Sequence, residues 1–156
     1  MIIFIKTFLI LSLILLFSCK NNKEVSKPEI KNEDLNILMI EAYQEGLNEL
    51  ENGYAILAAK KFNEAEILFP QSIWAPRSSL MAAYSYYSMD YYEDSINELI
   101  RFLKTYPNNI RTDYARYLLA INYYEQIINE KKDLGPILDA KNNFIIVKEN
   151  FPDSDF

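Results

Sequence analysis

Three aromatic–proline pairs impose a repeat on this chain: Phe69-Pro70, Tyr106-Pro107 and Phe151-Pro152. The first two pairs are 37 residues apart and the last two 45. Those offsets align far more than prolines. Ala58 falls on Ser95 and then Ala140, and Phe62 falls on Leu99 and then Phe144. Gly46, Ala83 and Ala120 follow one another at a constant 37, so the extra residues of the last unit lie between Ala120 and Ala140, around Glu130 to Pro136. A fixed period in this range marks stacked supersecondary units, and nothing else in the chain constrains its fold as strongly.

The apolar residues from Leu35 onward recur at helical spacing, with no competing strand alternation. Each unit therefore reads as two antiparallel helices. The spacing predicts first helices over about 35–51, 73–88 and 112–129, and second helices over about 54–68, 91–105 and 136–150. Each proline ends a second helix by removing an N–H and pushing the residue before it out of the α region. Pro136, after the turn-rich stretch Lys132-Asp-Leu-Gly135, can open the last helix in its first turn. Small residues (Gly46, Ala83 and Ala120 facing Ala58, Ser95 and Ala140) let paired helices approach. Phe62, Leu99 and Phe144 are expected to fill the space between units. A single hairpin cannot bury its own apolar face, so the expected fold is an all-α helical-hairpin solenoid, with repeats at about 35–70, 73–107 and 112–152.

Ahead of the repeats stands a different kind of sequence. Residues 1–18 carry one cation, Lys6, and an apolar centre from Phe8 to Phe17, which together read as an export signal. The run ends Leu16-Phe17-Ser18-Cys19, and Cys19 is the only cysteine in the chain. Leu at −3, Ser at −1 and Cys at +1 resemble the lipobox of bacterial lipoproteins. That resemblance implies cleavage before Cys19, whose thiol and new α-amine would both be acylated. An ordinary secretory signal or a short membrane helix are the alternatives. The stretch is short for a helix that must span with about 20 residues, and Phe17-Ser18-Cys19 lacks the small-x-small site of a secretory signal. Residues 20–34 are polar and read, with Cys19, as a tether between lipid and repeats.

Composition narrows the chemistry. Removing residues 1–18 from the 156 takes away Lys6 and no acid, so the formal charge moves from −6 to −7. An acidic chain without histidine is a poor match for nucleic acid. Membrane attachment would then come from the acyl chains, two or more of which anchor stably where one does not. With Cys19 used for lipid, no internal disulfide can form, and stability must come from a core for which 50% apolar and 14% aromatic content suffices. No nucleophile–base pair, phosphate loop or metal-ligand spacing is present, so neither catalysis, a metal nor a cofactor is expected. Carboxylate pairs such as Glu93-Asp94 read as solvated helix faces.

The units resemble the tetratricopeptide repeat: Asp90-Tyr91-Tyr92-Glu93-Asp94-Ser95-Ile96 matches its second-helix start, and Ala58, Phe62, Ala65 and Pro70 fall on its consensus spacing. Glu45 and Glu49 depart from it, as does the stretched third unit. Lipobox, tether and repeats together resemble the BamD (YfiO) family of outer-membrane lipoproteins. The likeness runs from Leu35 to Phe156 through Tyr43, Gly46, Leu50, Gly53 and Ala58, then Ala83-Tyr84-Ser85-Tyr86-Tyr87. It continues in Ile100-Arg101-Phe102 before Tyr106-Pro107-Asn108, in Asp113-Tyr114-Ala115-Arg116-Tyr117, and in Phe151-Pro152-Asp153-Ser154. Membership would imply a non-catalytic scaffold of the β-barrel assembly (BAM) complex, lipid-anchored at the periplasmic face of the outer membrane. Lys20 fits that address, since it is not the aspartate that retains similar enterobacterial lipoproteins at the inner membrane. The implied partners are a BamA-like barrel protein, other lipoproteins of the complex and unfolded outer-membrane-protein peptides. Five repeats are usual in the family, so three imply an incomplete chain, the alternative being another protein that supplies the cap.

In such solenoids the first helices line the concave face. The residues projecting there would include Tyr43, Arg77, Tyr84, Tyr87, Tyr114, Tyr117 and Tyr124. Tyrosine offers rigid apolar area with a hydrogen-bonding tip, and Arg77 could take a terminal carboxylate in a two-pronged contact. The resemblance suggests the aromatic-ended C-terminus of a barrel protein as ligand. Tyrosines at helical spacing also serve as packing between helices, and that reading stays open. A second functional class also stays open: a periplasmic repeat adaptor lipoprotein that recruits peptidoglycan hydrolases or cell-division proteins.

Overall fold

The period written into the prolines reappears as a repeated backbone conformation. In the computed structural model, which describes residues 32–127 and 133–156, six α-helices follow one another. They are α1 (Asn32–Glu51), α2 (Ala55–Leu68), α3 (Trp74–Tyr87), α4 (Tyr92–Thr105), α5 (Thr112–Glu125) and α6 (Gly135–Asn150). No strand occurs among the described residues. Each helix packs chiefly on its neighbours in sequence, the arrangement expected of stacked hairpins. The export signal, Cys19, the tether as far as residue 31, and residues 128–132 lie outside the described residues.

The second helices all stop the same way. Phe69, Tyr106 and Phe151 have φ/ψ of −143/70, −125/56 and −132/59, outside the α region as a following proline demands. Each aromatic carbonyl then accepts the N–H three residues on: Ser72 at 3.0 Å, Asn109 at 3.1 Å and Ser154 at 3.0 Å. Those three polar residues next accept a backbone N–H two residues further along. Ser72 Oγ takes Trp74 at 3.2 Å, Asn109 Oδ1 takes Arg111 at 2.9 Å, and Ser154 Oγ takes Phe156 at 3.3 Å. One turn design thus recurs after every second helix.

Within the hairpins the turns also repeat. Gly53 has φ +79° and Asp90, 37 residues on, has φ +63°. This left-handed conformation closes a helix with a six-to-one hydrogen bond. Tyr54 N–H donates to Glu49 O at 2.9 Å, and Tyr91 N–H to Tyr86 O at 3.0 Å. Aspartate tolerates the conformation better than most side chains, and here its Oδ1 also accepts the Tyr92 hydroxyl at 2.7 Å.

Two element ends differ from expectation. Helix α1 starts at Asn32, three residues before Leu35, so Asn32–Asp34 belong to the helix and not to the tether. Glu33 and Asp34 sit in its first turn, where the helix dipole favours acids. Helix α5 ends at Glu125, short of residue 129. Gln126 and Ile127 donate to the carbonyls three residues back, at 3.2 and 3.1 Å, a tightened last turn that no glycine or proline announces.

The core forms where hairpins meet. One cluster joins Met39, Ala42 and Tyr43 of α1 to Ala58, Phe62 and Ala65 of α2 and Ala82 of α3. The next joins Leu80 and Ala83 of α3 to Ile96, Leu99 and Phe102 of α4 and Ala115, Leu118 and Leu119 of α5. Phe62 and Leu99 are fully buried, and all six small helix-pairing residues are buried. Phe62 does more than fill the junction: its ring lies against Gly46 of its own hairpin. Phe144 is only half-buried, its ring 6.2 Å from Tyr117.

A polar tie binds the first two hairpins. Arg101 reaches Glu66 with both ends of its guanidinium, at 2.9 and 2.7 Å, and its Nε donates to Glu98 at 2.8 Å. The same side chain donates to Asn63 Oδ1 and Ser79 Oγ, both at 3.0 Å, while the Tyr106 hydroxyl donates to Glu66 at 2.7 Å. Glu66 is buried, so a bidentate partner is what makes its charge tolerable there. The Glu66 contact holds the Arg101 pKa above its ordinary value. Burial, then the bond to Glu66, raises that of Tyr106.

Candidate functional site

The first helices α1, α3 and α5 present two adjoining cavities. The smaller, about 330 Å³, lies between α1 and α3 and includes Ile40, Tyr43, Gln44, Leu47, Trp74 and Arg77. The larger, about 540 Å³, lies between α3 and α5, where Arg77, Leu80, Tyr84, Ile110, Arg111 and Tyr114 are among its walls. Arg77 lines both.

Local sequence explains how α3 sets Arg77. Ser72 caps the first N–H groups of α3, and Pro76 sits in the first turn, where its missing N–H leaves no bond unmade. Trp74 and Arg77, three residues apart, then share one face of α3. The Arg77 guanidinium carbon stands 4.9 Å from the Trp74 ring centroid and 5.7 Å from that of Tyr43. Trp74 in turn meets Tyr43 edge-on at 5.4 Å, and Tyr43 meets Phe62 at 5.1 Å. This stack fixes the arginine by cation–π attraction while leaving its in-plane N–H donors to face outward.

The seven groove candidates divide. Tyr84 and Tyr114 line the larger cavity, Tyr43 the smaller and Arg77 both. Tyr43 is 7% exposed, so its ring is mainly core and only its edge reaches the cavity. Tyr87 is half-buried against the second core cluster and packs on Tyr84 and Tyr92 at 6.4 and 6.3 Å. Tyr117 is held between Phe144 and Phe156, at 6.2 and 5.3 Å. Tyr124 is exposed. These last three line neither cavity. Tyr114 packs on Phe156 at 5.0 Å, and burial, reinforced by Tyr84 and Tyr87, pushes its pKa up to about 12. It is therefore a neutral hydrogen-bonding wall at any physiological pH.

Several lining residues escape a reading by helix phase. Trp74 is the chain's single tryptophan, and it builds the wall behind Arg77. Ile73 and Ile110, 37 residues apart, both line the larger cavity and are 88% and 90% exposed. Lying at the same repeat position on one cavity, they offer apolar contact area to a bound segment. Arg111 stands beside Ile110, also at the cavity wall. Their shared offset was the available signal; their place just before a helix start hid it.

Known proteins match the chain over the helices just described. The family model described as YfiO, outer membrane lipoprotein, matches residues 36–156. A Caulobacter vibrioides protein named outer membrane protein assembly factor BamD is 31% identical over 133 residues, covering 85% of this chain and 43% of that protein. Proteins of the same name from Rickettsia prowazekii and Neisseria meningitidis serogroup B are 28% and 29% identical, over 92% and 71% of this chain and 54% and 41% of their own length. The chain thus spans about half the length of the curated relatives it matches. From its helical-hairpin repeats and a match over nearly all of them, the chain belongs to the YfiO family of outer-membrane lipoproteins.

Proposed function

We propose that this chain acts as a non-catalytic scaffold in outer-membrane protein assembly, holding extended, unfolded segments of barrel proteins along its first helices. The observation that carries the reading is the run of two cavities joined at Arg77, walled by Tyr43, Trp74, Tyr84 and Tyr114. Flat aromatic walls take many apolar side chains without demanding one, and tyrosine hydroxyls meet backbone polar groups that an unfolded segment still exposes. Relatives named as assembly factors support the same reading.

In this reading Cys19 carries the acyl chains that keep the chain at the periplasmic face of the outer membrane. A BamA-like barrel protein and other lipoproteins of the complex are its standing partners. None of the described helices is long and apolar enough to cross a membrane. The test is affinity purification of the tagged protein from detergent-solubilised outer membranes. Recovery of a barrel-assembly protein is expected, with a Cys19→Ala variant lost from the membrane fraction. Recovery of an amidase or endopeptidase instead would overturn the proposal in favour of a hydrolase adaptor.

A further inference from the structure

The ion pairs among the described residues are made by Lys61, with Glu45 and Glu64, and by Arg101, with Glu66 and Glu98. Arg77 and Arg111 make none, as is true of most described bases; what sets these two apart is that they share a cavity whose lining holds no Asp or Glu side chain. Both are exposed, and both line the larger cavity. Two cations left without carboxylates on one apolar wall make a site that is electrostatically unfinished. Neighbouring Ile73 and Ile110, almost wholly open to water, leave it unfinished in apolar terms too.

Arg77 does not close an end of the groove. It lies at the junction, with one cavity on each side. A ligand terminating at its guanidinium would fill one cavity and leave the other empty. A strand that runs past it fills both, and meets it through a side chain. Successive residues of an extended strand point to opposite sides, so one face can offer an acid to the arginines while aliphatic or aromatic neighbours cover the isoleucines and tyrosines.

Resting on the peptide-groove reading above, we infer that Arg77 and Arg111 form a carboxylate clamp that selects through-running extended peptides carrying an internal Asp or Glu between apolar residues. Stacking on Trp74 presets the Arg77 fork, which reduces the entropy lost when a carboxylate binds. Arg111 supplies the second cation from the start of α5.

Trp74, as the only tryptophan, reports occupancy directly through its emission. The experiment titrates the whole protein with tryptophan-free, acetylated and amidated peptides of alternating apolar and Glu residues, beside the Gln isostere and the same peptides with a free C-terminal carboxylate. The Glu peptide is expected to bind about tenfold tighter, the worth of one charge-assisted hydrogen bond near 1.4 kcal/mol. That advantage should fall below about threefold in Arg111→Gln or at high salt, where exposed charges are screened. Arg111 is exposed, so the variant keeps its fold, checked by circular dichroism. Equal affinity for both peptides in the wild type overturns the clamp but leaves the groove. Binding only of peptides with a free C-terminal carboxylate overturns it in favour of end capture. No binding of any peptide overturns the clamp and the groove together.

Discussion

A β-carbon placed on Gly46 would stand 2.8 Å from Cδ1 and Cε1 of the fully buried Phe62 ring. The two residues mark a close approach of α1 and α2. Alanine normally gains about 1 kcal/mol over glycine inside a helix, but the ring cannot swing away within a filled core. Gly46→Ala is therefore expected to lose up to about 2 kcal/mol net, because overpacking typically costs 1–3 kcal/mol. Pairing it with Phe62→Leu should recover part of that loss, measured as non-additivity in urea unfolding.

The Glu66–Arg101 pair predicts a sharper asymmetry. Arg101→Met leaves a carboxylate only 6% exposed without its cation, and should cost about 3 kcal/mol or more. Adding Glu66→Leu removes the stranded charge. The double variant should then be more stable than Arg101→Met alone, as read by thermal or chemical unfolding. Equal stability of the two variants would show that Glu66 draws little on Arg101.

Turn conformation gives a prediction independent of packing. Gly53 at φ +79° penalises any β-carbon, and Gly53→Val should cost about 2 kcal/mol. Asp90→Gly, at the equivalent φ of +63°, should stay within about 0.5 kcal/mol of wild type, since glycine's ease in this conformation offsets the lost Tyr92 bond. Denaturant midpoints of the two variants suffice to compare them.

Alkali should loosen the fold through its tyrosines. Burial raises the Tyr114 pKa to about 12, and a bond to Asp90 raises that of Tyr92 to about 12 as well, against an ordinary value near 10. A group whose folded pKa lies above its unfolded one keeps its full contribution below the unfolded value. That contribution is lost as pH rises through the folded value. Stability is expected to be flat below about pH 10 and to fall between about 10 and 12. Tyr114→Phe should shallow that fall, followed by tyrosinate absorbance and unfolding midpoints at each pH.

Much of the fold was legible because the signals are local. Phe69-Pro70, Tyr106-Pro107 and Phe151-Pro152 dictate backbone angles within two residues, and the structure repeats those angles three times. Gly46 marks a close approach of α1 and α2, there to the ring of Phe62, and Ala58, Ala83 and Ser95 are buried as small helix-pairing positions should be. The α5 end was not legible, since the polar and apolar pattern runs on past Glu125 without a stop signal. The groove was legible in part. Helix phase singled out Arg77, Tyr84 and Tyr114, which line a cavity, but it could not separate them from Tyr87 and Tyr117, whose rings turn into neighbouring aromatics.

The sequence by itself determined the hairpin unit, its 37-residue spacing and the insertion in the last repeat, because proline, glycine and small residues act on the chain at short range. It also carried the family likeness. Only the tertiary structure decided that Trp74 stands behind Arg77, that Arg77 joins two cavities and that Glu66 and Arg101 tie the hairpins together. Those relationships depend on how one hairpin is rotated on the next. That rotation comes from the summed packing of whole helix faces, and no short stretch of residues encodes it.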